Sequence, residues 1–215
     1  MSGLSRVTAA LLDALYPPRC VCAVCNEERT VGEDLLCDEC RSRIKRCPHP
    51  PAPDPLDGAA AAFVYDELLH GPVHRFKYGK QSYLADFFAA HIEPPQEWRI
   101  DCLVPVPLHP LKLWRRTFNQ SALLADALAK HYALPVRCDL LKRTRNTPSQ
   151  TELSAAARER NVRGAFSSAP LPAGLSVALV DDVTTTGATL RACAHALKKA
   201  GAARVYALVA ACANQ

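Results

Sequence analysis

Residues 177–190 read VALVDDVTTTGATL, an apolar run that ends in two adjacent carboxylates, Asp181 and Asp182. Small residues follow: Thr184, Thr185, Thr186, Gly187, Ala188 and Thr189. The run reads as a buried strand over 176–180, and an apolar helical pattern resumes over about 187–200. A turn between a strand end and a helix start is where open α/β sheets bind ligands. Amide groups at the helix start favour a phosphate, and Gly187 lets the main chain come close to it. The threonine hydroxyls add donors without bulk. No lysine stands in the turn, which excludes a nucleotide loop of the GxxxxGK[ST] type. Two acids beside a phosphate would be repulsive unless they face something else. The two free hydroxyls of a ribose, or a magnesium ion between sugar and pyrophosphate, meet that need. The plainer alternative is an acidic helix-capping turn.

A second cluster lies near the N-terminus. Six of the ten cysteines fall between positions 20 and 47, and four are spaced Cys22-x2-Cys25-x11-Cys37-x2-Cys40. Two C-x2-C knuckles form a closed tetrahedral thiolate set suited to structural zinc. A head of this size buries too little apolar surface to fold unaided. Cys20 is an alternative first ligand in place of Cys22. With no position left for substrate, the expected zinc is structural.

The elements that must position these groups follow from composition and periodicity. The chain has 215 residues, 49% hydrophobic and 22% charged, a globular composition with room for one core and a small appendage. No window reaches membrane-spanning length. Leu4, Val7, Leu11, Leu12 and Leu15 fit a short amphipathic helix rather than an export signal, so a reducing cytoplasm is expected. The Pro-rich stretch CPHPPAPDP (47–55) reads as a linker between a head over 1–55 and a domain over 56–215. Beyond it, strands are predicted at 59–65, 101–108, 136–141, 176–180 and 204–211. Helices are predicted at 66–79, 82–92, 119–132 and 187–200. That alternation argues for a parallel sheet in an α/β fold. Residues 99–163 hold twelve Lys/Arg against five Asp/Glu, a net +7, and are where an anionic partner is expected. Trp114 and Phe118 flank Arg115 and Arg116 there, which suits single-stranded DNA: basic groups follow the backbone while a ring stacks on a base. The same arginines also suit pyrophosphate alone, and the rings also suit a core. Lys77 reads equally as a solvated lysine.

The 181–189 string closely resembles the binding motif of type I phosphoribosyltransferases. Three longer segments narrow the likeness: HRFKYGK (74–80), VPVPLHPLKLWRRTFNQSALLADALA (104–129) and LKRTRNTPSQTELSAAARERNVRGAF (141–166). With the cysteine head, they resemble the ComF family of competence-associated proteins over nearly the whole chain. The resemblance implies a central parallel sheet flanked by helices, with a small N-terminal zinc module. It implies that Asp181 and Asp182 hold the ribose hydroxyls of phosphoribosyl pyrophosphate at the catalytic centre, with magnesium, and that the threonine-rich turn holds the 5-phosphate. Arg115 and Arg116 would contact pyrophosphate, and Arg143, Arg145, Gln150 and Arg158 would belong to a loop that closes over the ligand. It further implies action on incoming single-stranded DNA in the cytoplasm, beside a competence helicase-type protein. Either the site is retained for binding, or it transfers phosphoribosyl to an acceptor that no segment specifies. Thr117 departs from the family pattern, standing where glycine is usual.

Overall fold

The central strand β5, Ser176–Thr184, pairs in parallel with β6, Arg204–Cys212, along its whole length. The computed structural model describes residues 21–79, 81–145 and 160–213, apart from the side chain of Arg115. The chain divides into two compact units, with the boundary between Arg43 and Ile44.

In the first unit the described residues form the cysteine knuckles and one short helix, α1, Asp38–Arg43. Val21 bridges Glu28 in antiparallel fashion, and the Ala23 amide donates to the Leu35 carbonyl at 2.9 Å. Arg41 binds Asp34 and Asp38 at 2.7 Å each, and Arg29 binds Glu39 at 2.8 Å. These pairs are exposed, so they set local geometry more than stability.

The second unit is built on a parallel sheet in the order β1–β6–β5–β2, with β1 at Gly58–Val64 and β2 at Cys102–Pro105. The strands are buried on both faces, as a parallel sheet covered by helices requires. The predicted strand at 136–141 shrinks to a single parallel bridge between Leu103 and Val136. The chain leaves the sheet edge at once, and Arg137 and Asp139 pair with each other at 2.8 Å in solvent. The expected strand 176–180, by contrast, runs on to Thr184. β6 supplies partners as far as Thr184↔Cys212, so the strand carries both acids inside the sheet.

Helices α2 (Glu67–Tyr78), α3 (Tyr83–Ala89) and α5 (Gln120–Tyr132) match three predicted helices, with α3 shorter than expected. Asp66 caps α2 by accepting from the amides of Leu68 and Leu69. Phe63 of β1 stacks on Phe87 of α3 at 5.5 Å, and Phe76 of α2 meets Phe88 of α3 at 5.6 Å. A further helix, α4 (Pro110–Arg116), was not anticipated; Pro110 begins it and His109 Nδ1 caps it by accepting from the Leu111 amide. α4 ends at Thr117, whose φ of 66° lies in the left-handed region that a β-branched residue avoids. That conformation explains why glycine suits this position. Lys142–Arg143 (β3) and Phe166–Ser167 (β4) form a small antiparallel pair. The last helix, α6 (Ala188–Lys199), packs Leu190, Cys193, Ala194 and Leu197 into one cluster with Val177 and Leu179 of β5. Among the described residues, no helix is long and apolar enough to cross a membrane.

Candidate functional site

Asp181 and Asp182 are both buried, at 8% and 5% exposure, although they occupy the carboxyl end of β5. Successive strand residues point to opposite faces, so the two carboxylates find different partners. Ser121 Oγ donates to Asp181 Oδ1 at 2.9 Å, and the Asp182 amide donates to the same oxygen at 2.9 Å. Asp182 Oδ1 accepts from the Val183 amide at 2.7 Å. Its Oδ2 is buried and accepts no hydrogen bond, but the Lys77 ammonium lies 3.4 Å away. Burial, reinforced by the neighbouring Asp182 charge, pushes the Asp181 carboxyl up to about 7 against the pull of Ser121, the Asp182 amide and Lys77.

The residues that hold these partners come from the FNQS segment and from α2. Asn119 caps α5 by accepting from the Ser121 amide at 3.1 Å, while its Nδ2 donates to the Val106 carbonyl at 3.0 Å. Val106 in turn donates to the Val180 carbonyl at 2.9 Å. Asn119 thus locks the start of α5 to the segment leaving β2 and points Ser121 at Asp181. Sequence reasoning left Lys77 undecided and did not single out Ser121 or Asn119. The FNQS string was the available signal, since an Asn followed by two small or polar residues before an apolar run reads as a helix cap.

Beyond the acids, Thr184, Thr185, Thr186, Gly187, Ala188 and Thr189 enclose with Asp181 a hollow of ≈ 40 Å³. That is roughly three times the ~10–15 Å³ needed by one water. Asp182 does not line it. Gly187 has φ of 70° and caps α6 with no side-chain hydrogen bond, which leaves the positive end of the helix facing the hollow. A Cβ at Gly187 would stand 2.7 Å from Pro53 Cγ, so both conformation and space demand glycine. Pro53 belongs to the Pro-rich stretch, which therefore packs on this turn. Arg191 Nη2 closes the turn from the helix side by donating to the Thr186 carbonyl at 3.2 Å.

The predicted arginines fall in different surroundings. Arg116 donates to Tyr78 Oη at 2.9 Å, with its guanidinium 4.7 Å above the Tyr78 ring. The backbone of Arg115 lies in α4; its side chain is outside the described residues. Arg143 lies 5.2 Å over the Phe166 ring and is close enough to Asp181 to feel its charge. Burial lowers the Arg143 pKa, and that nearby carboxylate opposes the shift. Arg145 is exposed and donates to the Asn161 carbonyl at 2.8 Å. Gln150 and Arg158 lie outside the described residues. Trp114 is 82% exposed, so it is not a core residue.

In the other unit, the thiols of Cys22, Cys25, Cys37 and Cys40 lie within 4.8 Å of one another. Three are buried, and the Cys37 amide donates to Cys22 Sγ at 3.5 Å. Burial opposes ionisation of Cys22, but amide donors from Cys37, Cys25 and Val24 outweigh it and bring its pKa to about 7. Burial raises the pKa of Cys25 and Cys40. Four converging sulfurs of this kind fit a metal ion as a closed set. Cys20, the alternative ligand, lies outside the described residues.

Residues 119–215 match the model of the phosphoribosyl transferase domain, so the domain class is a phosphoribosyltransferase-type α/β domain. The "DNA utilization protein YhgH" of Escherichia coli (strain K12) is 31% identical over 199 residues, covering 86% of this chain and 87% of the relative. The "Competence protein F" of Haemophilus influenzae is 39% identical over 104 residues, covering 47% of this chain and 45% of the relative. The "Competence protein ComFC" of Bacillus subtilis is 25% identical, covering 94% of this chain and 77% of the relative. The chain belongs to the ComF-like family of phosphoribosyltransferase-type proteins.

The Asp181 carboxyl makes a testable pH prediction. Its folded-state pKa, about 7, stands above the ordinary 3.8, so the folded protein holds this proton more tightly than the unfolded chain. Stability contributed by the protonated acid is present below about 4 and is lost as pH rises through about 7. Asp181→Asn keeps an acceptor for Ser121 and removes the charge. Urea unfolding should find the variant more stable than wild type by at least ~1 kcal/mol at pH 8, the worth of roughly one pKa unit. Near pH 4 the two should agree; a constant difference at all pH values would show that burial does not hold this proton.

Proposed function

We propose that the β5–α6 turn binds phosphoribosyl pyrophosphate, and ribose 5-phosphate more weakly. We further propose that the protein uses this site in cytoplasmic handling of incoming single-stranded DNA during natural transformation, alongside a helicase-type partner. The observation that carries the ligand assignment is the pairing of two buried acids with an uncapped, glycine-gated helix start at the carboxyl end of the central strand. Threonine hydroxyls and amides of 184–189 would hold the 5-phosphate, and Asp181 and Asp182 the ribose hydroxyls. Magnesium, when bound with the ligand, would neutralise pyrophosphate charge beside Asp182, whose Oδ2 has acceptor capacity to spare. Arg115 and Arg116 would receive the pyrophosphate, and the segment carrying Arg143, Arg145, Gln150 and Arg158 would shield it. The DNA role rests on the names of the relatives and on the exposed ring of Trp114 within the basic third of the chain.

A second reading, transfer of phosphoribosyl to an acceptor, is favoured by the position of Asp181 on the wall of the hollow at the carboxyl end of β5. The two readings part on turnover: pyrophosphate release in the presence of candidate acceptors would establish the second.

Binding is tested first. Calorimetry with phosphoribosyl pyrophosphate and magnesium should find affinity at least tenfold weaker in the Asp181→Asn/Asp182→Asn variant. That follows from about 1.5–3 kcal/mol per charge-assisted hydrogen bond. Equal affinities would remove these acids from the site.

The head is assigned one structural zinc, held by Cys22, Cys25, Cys37 and Cys40. Metal analysis should return one zinc per chain, and Cys37→Ser with Cys40→Ser should abolish it and make residues 21–43 sensitive to protease. A zinc-free protein with a protected head would rule the assignment out.

For DNA, labelled single strands should bind with affinity that falls steeply as salt rises, whatever their sequence. Trp114→Ala should weaken binding about fivefold or more, from roughly 1–3 kcal/mol of base stacking. Unchanged affinity would take Trp114 off the DNA path.

A further inference from the structure

A cavity of ≈ 690 Å³ lies away from the acid pair, between the outer face of α6 and the chain that leads into β4. Its size falls within the ~300–1,000 Å³ usual for small-ligand sites. One wall is a helical ridge of cations: Arg191, His195 and Lys199 recur at intervals of four on α6, about 6 Å apart along the axis. The facing wall brings Arg160 and Arg163. Beside the cationic ridge runs a second one of Ala188, Ala192 and Ala196, again four apart, which forms an apolar floor without bulk. Phe166 borders the floor, with Arg143 stacked on its ring.

The charge is one-sided. Among the described residues that line the cavity there are four permanent cations and a histidine, and no carboxylate. The adjacent Lys198 behaves differently, since it is turned to Asp57 at 2.7 Å and also binds the Ala203 carbonyl. The helix thus spends one lysine on the fold and presents the next one to the cavity. A purely solvated basic face would not need the alanine ridge. Small residues at three successive turns keep the space beside the cations open, and their methyl groups suit a flat apolar ring rather than water. A bare phosphate would use the cations and leave that floor uncovered.

We propose that this cavity binds a nucleoside phosphate, its phosphate held by Arg163, His195 and Lys199 and its base laid over the alanine floor beside Phe166. The nucleoside phosphate is either a free nucleotide or one unit of a nucleic-acid strand. The site is separate from the β5–α6 turn: the two share only Ala188, at the start of α6. This inference does not depend on the turn binding phosphoribosyl pyrophosphate.

The test uses the full chain and two probes, adenosine monophosphate and a short oligo-deoxythymidine, titrated into wild type and two variants. Arg163→Ala/His195→Ala/Lys199→Ala changes only exposed side chains, and Asp181→Asn/Asp182→Asn changes only the buried acid pair at the end of β5. The triple variant should lose affinity for at least one probe by tenfold or more while keeping wild-type affinity for phosphoribosyl pyrophosphate. The acid variant should keep its affinity for that probe. Loss for the monophosphate identifies a free nucleotide as the ligand; loss for the oligonucleotide alone identifies a strand. The proposal is overturned if neither probe binds wild type, if the triple variant binds both as wild type does, or if its affinity for phosphoribosyl pyrophosphate falls in parallel. Failure of phosphoribosyl pyrophosphate to bind wild type would instead count against the turn and leave the cavity result standing.

Discussion

Two adjacent carboxylates inside the paired region of a parallel sheet are the constraint on which the second unit is organised. A charge taken out of water is costly unless partners replace the water. Here the partners come from three directions: the backbone amides of Asp182 and Val183, the Ser121 hydroxyl, and the Lys77 ammonium. Each partner fixes the element that carries it. Ser121 is in place only because Asn119 caps α5 and binds the Val106 carbonyl. Lys77 is in place only because α2 starts at its Asp66 cap and packs Phe76 against α3. The site thus draws in α5, the segment after β2 and α2, although it occupies two residues of β5.

The turn beyond the acids obeys a different requirement. It must change direction within three residues, expose the start of α6 and tolerate the Pro-rich stretch on its outer side. Gly187 satisfies all three, through a left-handed φ and the absence of a Cβ that would meet Pro53. Pro53, within the stretch 47–55, therefore forms part of the wall behind the turn.

What could be read in the sequence and what could not divide along the range of the interaction involved. α2, α5 and α6 were legible because the burial of each follows its own apolar periodicity, and β1 and β6 because each is a nearly unbroken apolar run buried on both faces. The end of β5 was not, because Asp181 and Asp182 are residues that strands disfavour; the register with Val209 through Cys212 keeps them in the sheet. The strand expected at 136–141 failed for the converse reason: its apolar residues had one rung available at the edge. α4 escaped notice because Leu111, Leu113 and Trp114 are exposed and leave no core-facing stripe. The cysteine set was legible from spacing alone, since a C-x2-C knuckle is a local device. Lys77 was not, because its meaning depends on a carboxylate more than a hundred residues away.

The two units meet one electrostatic problem at different strengths. Four sulfurs within 4.8 Å can all be thiolates only if a cation sits among them, and without one, burial keeps Cys25 and Cys40 protonated. Among the described residues of the head, Arg29 and Arg43 are committed to Glu39 and Arg41 to Asp34 on the surface. A metal ion there would be part of the fold. The acid pair is one step milder. Lys77 and the amides of Asp182 and Val183 offset only part of its cost of burial, so Asp182 Oδ2 keeps an unfilled acceptor and Asp181 a pKa near 7. An arrangement satisfied enough to fold and unsatisfied enough to gain from a diol or a divalent cation suits reversible binding. The two sites therefore differ in how much of the negative charge the protein's own groups already balance.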